Sequence, residues 1–157
     1  MTLLLALLIA VTALAFLAGD ASARATALVL LGNWCINTAF VSACADPDAW
    51  AAFLVVDYLS ALLLIAFYQT TVVRLVCIAY ALQCVAHGAY GYVTMSDVNP
   101  LATYIYWWLL YCLAMAQIAI VGGMVAYQRV GDWSGAGGSV SFGKSGLHQG
   151  KSKGSGQ

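Results

Sequence analysis

Asp57 and His87 are the two side chains in this sequence best placed for proton chemistry in an apolar setting. Asp57 stands in the run Ala49 to Phe67, with eight residues before it and ten after. A carboxylate at the centre of a membrane-length helix costs about 2.5 to 3.5 kcal/mol on insertion scales, so it faces protein or water and by default marks a functional site. His87 falls at a matching depth in another apolar run. The two would form a coupled protonatable pair able to relay protons or bind a cation. Burial and direct contact act on such a pair in opposite senses, so the sequence leaves its charge state open.

Counting inward from the ends of each apolar run surrounds this pair with a polar layer. Asn37, Asp57, His87 and Tyr111 fall slightly to one side of the midplane, and Asn33, Gln83 and Gln117 slightly to the other. Asn33 and Asn37 are four apart and share a helix face, as do Gln83 and His87, with Tyr80 three before Gln83. Ser60, three after Asp57, reads as a packing residue, and the first run offers nothing more polar than Thr12. The layer also has a purely structural reading. Interhelical hydrogen bonds of about 0.6 kcal/mol each would hold a bundle together, with Cys84-x-x-x-Gly88 and Ala119-x-x-x-Gly123 permitting close approach.

Other chemistries find less support. Ser60, His87 and Asp57 have no nucleophile elbow around them, and neither H-E-x-x-H nor a Gly-rich cofactor loop occurs, so the chain reads as a non-enzyme without a cofactor. His148 lies in the tail, and the five cysteines, Cys35, Cys44, Cys77, Cys84 and Cys112, have neither C-x-x-C nor zinc spacing, which argues against a metal site. An axial haem role would need His87 paired across an oligomer. Four of the cysteines read as small apolar packing residues, and Cys44 is the candidate for an intermolecular disulfide.

The elements that must position these residues are membrane helices. Hydrophobic residues make up 63% of the 157 and charged residues 8%, and mean hydropathy is +0.88. Soluble globular chains carry about 25% charged residues, so this one belongs in a bilayer. Five stretches can each be read as a helix crossing about 30 Å of hydrocarbon: Thr2 to Ala18, Ala25 to Ala45, Ala49 to Phe67, Leu75 to Met95 and Leu101 to Tyr127. Residues 1–128 then form an all-α bundle of five transmembrane helices in one domain. Residues 129–157, with nine glycines, read as a disordered Gly/Ser/Lys tail whose basic residues attract anionic lipid weakly. With zero net charge and no basic stripe, the partner is the lipid bilayer and not nucleic acid.

Charge fixes an expected orientation. Arg24, Arg74, Arg129, Lys144, Lys151 and Lys153 all fall on one side, while Asp46, Asp48 and Asp97 occupy the opposite connections. The positive-inside rule places the N-terminus outside and the C-terminus in the cytoplasm, for a multi-pass protein of the cell inner membrane. Asp46-Pro47-Asp48 reads as a tight hairpin and helix start, with Asp46 capping, and Asn99-Pro100 repeats that logic. Tyr90, Tyr104, Tyr106 and Trp50 read as interfacial anchors, whereas Trp107 and Trp108 lie deeper. Ala21-Ser22-Ala23 after the first run resembles a signal-peptidase site, but no Lys or Arg precedes the run, and cleavage would strand Arg24 on the wrong side.

Asn33-Trp34 with Asn37, the Asp46-Pro47-Asp48 turn, Asp57, and Gln83 with His87 together resemble small phage or prophage inner-membrane proteins of the holin-like kind. That resemblance spans roughly residues 33–91 and implies lateral assembly into a membrane pore, in which the polar layer lines or seals a passage within a homo-oligomer. A second expectation comes from the mid-membrane carboxylate itself. Asp57 with the aromatics Trp34, Tyr111 and Trp108 is similar to the arrangement of small proton-coupled carriers. A third is a non-catalytic scaffold subunit of a larger membrane complex.

Overall fold

In a computed structural model, residues 2–43, 49–96 and 100–136 are described, and all their regular structure is helical. Five helices follow in order: α1 (Thr2–Ala18), α2 (Ala21–Ala43), α3 (Ala49–Phe67), α4 (Thr71–Ser96) and α5 (Pro100–Ala136). Four of them, α2 to α5, are long and apolar enough to cross a membrane, as in a multi-pass membrane protein. The 17 residues of α1 reach only roughly 26 Å at about 1.5 Å per residue, just short of the hydrocarbon thickness. The expected cap at Asp46, the Cys44 disulfide, the Asn99 turn and most of the Gly/Ser/Lys tail lie outside the described residues.

Three helix ends differ from the apolar boundaries by more than two residues, each for a local reason. α2 begins at Ala21 rather than Ala25, because the Ala23 backbone N–H donates to Asp20 Oδ1 at 2.8 Å and caps a first turn that carries Arg24. α4 begins at Thr71 rather than Leu75, where the Val73 N–H donates to Thr70 Oγ1 at 3.3 Å. α5 continues to Ala136, into the stretch assigned to the tail. Hydropathy ends near Tyr127, but Gln128, Arg129 and Val130 contain no helix breaker, so the backbone carries on.

The helices form a ring in which α1 packs on α2, α2 on α3, α3 on α4, α4 on α5 and α5 back on α1, with α2 also touching α5. One end of the bundle carries Trp50 and the starts of α1, α3 and α5. The other carries Arg24, Arg74 and Arg129. Toward the Arg24 end the interior is filled by small and branched side chains: Ala15, Ala23, Ala27, Val73, Val76, Val121 and Val125 are all buried, with Leu64 among them. The α1–α2 turn there is drawn onto α5 by a hydrogen bond from the Asp20 N–H to Gln128 Oε1 at 3.4 Å. Ala21-Ser22-Ala23 forms the first turn of α2, with Ser22 and Ala23 buried and Ser22 Oγ 3.3 Å from Thr70 Oγ1.

Close approach between helices depends on glycines other than the ones the spacing suggested. A Cβ at Gly123 would meet nothing within 4 Å, and one at Gly88 would only graze Leu54 at 4.0 Å. At Gly91 it would fall 2.5 Å from the Trp50 ring, so the α3–α4 contact at the Trp50 end exists only because this side chain is absent. Gly91→Ala is therefore expected to lower stability by about 1 to 3 kcal/mol through overpacking. Gly123→Ala should be neutral or stabilising by up to about 1 kcal/mol, since alanine is the better helix former. Thermal unfolding of the two variants in detergent, followed by circular dichroism, checks the contrast.

Candidate functional site

The polar residues of four helices meet above this packed half. Along α3, Phe53, Asp57 and Leu64 are buried at helical spacing, and Asp57 retains only 1% exposure. On α4 the buried face runs through Val76, Tyr80, Gln83 and His87, with His87 at 2%. These two faces pack against each other, and Cys77 and Cys84 bridge them further by donating to the Ala61 and Leu54 carbonyls at 3.7 Å each. The result places His87 Nε2 at 3.0 Å from Asp57 Oδ2.

Both partners have further ligands. His87 Nδ1 lies 2.6 Å from the Tyr106 hydroxyl on α5. Asn33 on α2 donates through Nδ2 to Asp57 Oδ1 at 2.8 Å and to Ser60 Oγ at 3.1 Å. Asn37 Nδ2 donates in turn to Asn33 Oδ1 at 3.0 Å. The carboxylate dictates these amide orientations. It accepts only, so Asn33 must present its NH₂, which leaves the Asn33 oxygen to accept from Asn37. The chain ends on Asn37 Oδ1, which is buried and accepts no hydrogen bond among the described residues.

With Asp57 ionised, the imidazole has two self-consistent states. Neutral His87 with its proton on Nε2 donates to Asp57 and accepts the Tyr106 O–H at Nδ1. Protonated His87 donates from both nitrogens, and the Tyr106 oxygen becomes the acceptor. One proton on His87 thus reverses the hydrogen bond to Tyr106. Phe53 packs on His87 with ring centroids 5.7 Å apart, and Tyr90 stacks on Tyr106 at 4.0 Å, which holds the rings of this relay in place.

Asn33, Asn37, Phe53, Asp57 and His87 line a cavity of about 320 Å³ in the half of the bundle toward the Trp50 end. All five helices contribute to its wall. Gln117 Nε2 donates to Gln83 Oε1 at 2.9 Å, a buried pair from α5 and α4 set one helical turn deeper than His87. Leu4 and Leu8 of α1 close one side, and Phe53, Trp34 and Trp107 supply aromatic surface. Val41 on α2 and Trp107 and Tyr111 on α5 stay exposed while lining the cavity, which places its mouth between those two helices.

Six of the seven residues of the expected polar layer are joined in hydrogen bonds: Asn33, Asn37, Asp57 and His87 in one network, Gln83 and Gln117 in a pair. Tyr111 is not. It sits at the mouth, edge-on to Trp108 with centroids 5.9 Å apart. Tyr106 takes the place expected of it, although its position near the start of α5 reads as a simple interfacial anchor. Taking the middle of a long apolar stretch as the midplane pushed the apparent level of Asp57 too far along α5, whereas counting from Pro100 alone brings Tyr106 toward it. Ser60, expected only to pack, accepts from Asn33. Of the two deep tryptophans, Trp107 lines the cavity, while Trp108 points outward with 52% exposure and leaves the proposed aromatic set.

Among the described residues no group of three or more His, Cys, Asp or Glu side chains could hold a metal ion. No family model, no curated protein and no solved structure matches this chain.

The pair makes a thermodynamic prediction. His87→Ala leaves a buried carboxylate without its partner and should destabilise the protein by about 3 to 5 kcal/mol, whereas adding Asp57→Asn should recover a large part of that loss. Tyr106→Phe removes one hydrogen bond and should cost about 1 kcal/mol. A double-mutant cycle on thermal unfolding in detergent measures these couplings.

Proposed function

We propose that this chain is a proton-coupled carrier of small molecules in a cell membrane, with Asp57 and His87 as the protonatable centre and the adjoining cavity as the binding site. The observation that supports this most strongly is a carboxylate and an imidazole 3.0 Å apart, both buried, in the wall of a cavity of about 320 Å³. A volume of that size stands at the lower end of the roughly 300 to 1,000 Å³ range of small-molecule sites.

Coupling follows from charge. With one proton between them Asp57 and His87 are neutral overall, and without it the pair carries a net negative charge inside the membrane. The described basic residues, Arg24, Arg74 and Arg129, lie at the far end and supply no compensation. Anything that enters the cavity and changes the local charge or hydrogen bonding therefore changes whether the proton is held. The Tyr106 hydroxyl, which reverses its bond as His87 gains a proton, carries the change toward the Trp50 end. In this reading the positive-inside rule puts the Arg24 end in the cytoplasm and the cavity in the outer half of an inner membrane.

The holin-like reading finds less support in the arrangement of side chains. A passage lined by the polar layer between subunits requires those groups on an outward face. Outward positions at that depth include the apolar Ile36, Val55, Leu59, Val85 and Leu109 beside the exposed rings of Tyr58 and Tyr111, while Asp57, His87, Gln83 and Gln117 are buried within a single bundle.

Reconstituted liposomes loaded with a pH-sensitive dye separate these readings. A carrier gives proton flux on addition of particular members of a panel of small cations, anions and neutral solutes, and Asp57→Asn abolishes it. Dye leakage that rises steeply with protein density and survives Asp57→Asn is the pore result. If neither activity appears and Asp57→Asn changes only thermal stability, the polar layer is structural and the scaffold reading stands.

A further inference from the structure

We infer that the cavity takes a small primary ammonium ion on an apolar stem, an inference that rests on the carrier reading and names its ligand class. Four features of the wall converge on that chemistry. Asp57 provides the carboxylate, and no Lys or Arg lines the cavity to compete for it. Asn37 Oδ1 is a buried acceptor that no described residue satisfies, which suits a ligand carrying an N–H or O–H donor. The preceding amide chain is oriented with its donors toward Asp57, so the free end it presents is an oxygen. Phe53, Trp34, Trp107 and Tyr111 contribute aromatic surface, which attracts cations within about 6 Å of a ring centroid.

The remaining wall selects the stem. Leu4, Leu8, Leu30, Leu110 and Ile118 are apolar, so a bare hydrated cation would lose water there without replacement. The mouth is consistent with such a molecule. Trp107 and Tyr111 lie seven and eleven residues past Pro100, roughly 10 and 16 Å along α5 at about 1.5 Å per residue. That depth faces acyl chains, into which an amine on an apolar stem partitions.

Charge balance then links the ligand to the proton. An ammonium group beside Asp57 supplies the positive charge that the proton on the pair otherwise supplies, so binding one displaces the other. The other titratable side chains around the pair are Tyr80 and Cys84 on α4, Tyr106 and Tyr111 on α5, and none on the cavity walls of α1 and α2. Tyrosines and cysteines are neutral near pH 7 in their ordinary ranges, so one proton is released for each ammonium bound.

The test uses the full chain in lipid nanodiscs with 2-phenylethylamine as probe and isothermal titration in two buffers of different ionisation enthalpy. Binding with release of close to one proton is expected. 2-Phenylethanol, which keeps the stem and a donor but not the charge, and methylammonium, which keeps the charge but not the stem, should each bind roughly tenfold more weakly or worse. Asn37→Leu should weaken the amine by roughly five- to tenfold, and Asn37→Asp should restore or exceed wild-type affinity. Equal binding of the amine and the alcohol overturns the ligand class. So does the absence of binding by all three probes while other solutes still drive proton flux that depends on Asp57, an outcome that leaves the carrier reading intact. Loss of both probe binding and every Asp57-dependent flux overturns the two together.

Discussion

A carboxylate placed in hydrocarbon has to be matched, and most of the interior of this protein follows from how Asp57 is matched. One oxygen meets His87 and the other meets Asn33. Those two contacts take a side chain from α4 and one from α2, so the charge itself ties three helices together at one level. The second nitrogen of His87 then draws in Tyr106 from α5. A buried ion pair of this kind is weak evidence for stability, because desolvation offsets much of the attraction. It is better understood as a device that specifies which faces of α2, α3, α4 and α5 meet, at a location where lipid offers no hydrophobic incentive for helices to associate.

The two halves of the bundle divide the work. Toward the Arg24 end, alanines and valines pack with almost no exposed surface, and the α1–α2 turn and α5 are joined there by Asp20 and Gln128. Dense packing at one end holds the helices in register, and this lets the other end leave a cavity without losing its shape. The proposed site lies where packing is least complete. That is the usual location for a binding site between helices of a bundle.

Much of the site was legible in the residues because helical spacing places Asn33 with Asn37 and Gln83 with His87 on single faces. Depth within the bilayer then aligns those faces with Asp57. Five apolar stretches also mapped onto five helices. The failures share a physical origin. Hydropathy records where the chain becomes polar rather than where the helix ends, so the capped first turns of α2 and α4 and the extension of α5 to Ala136 went unseen. The same overlong α5 brought Tyr111 into the layer and left Tyr106 in the aromatic belt. Small-xxx-small spacing pointed to Gly123, where an added Cβ would meet nothing within 4 Å, and missed Gly91, whose partner Trp50 is on a different helix. No periodicity within one segment encodes which helix lies opposite.

The central claim is that Asp57 and His87 hold one proton jointly and that Tyr106 responds to it. Its most direct measurement is the pH titration of the His87 ring nitrogens by ¹⁵N solid-state NMR in lipid, with His148→Gln removing the second of the two histidines. The account predicts that Asp57→Asn changes the pH dependence of the His87 ring shifts, as expected of coupled sites, and that Tyr106→Phe changes the Nδ1 shift while leaving Nε2 bonded to the carboxylate. A His87 ring that titrates identically with and without the Asp57 carboxylate would contradict it.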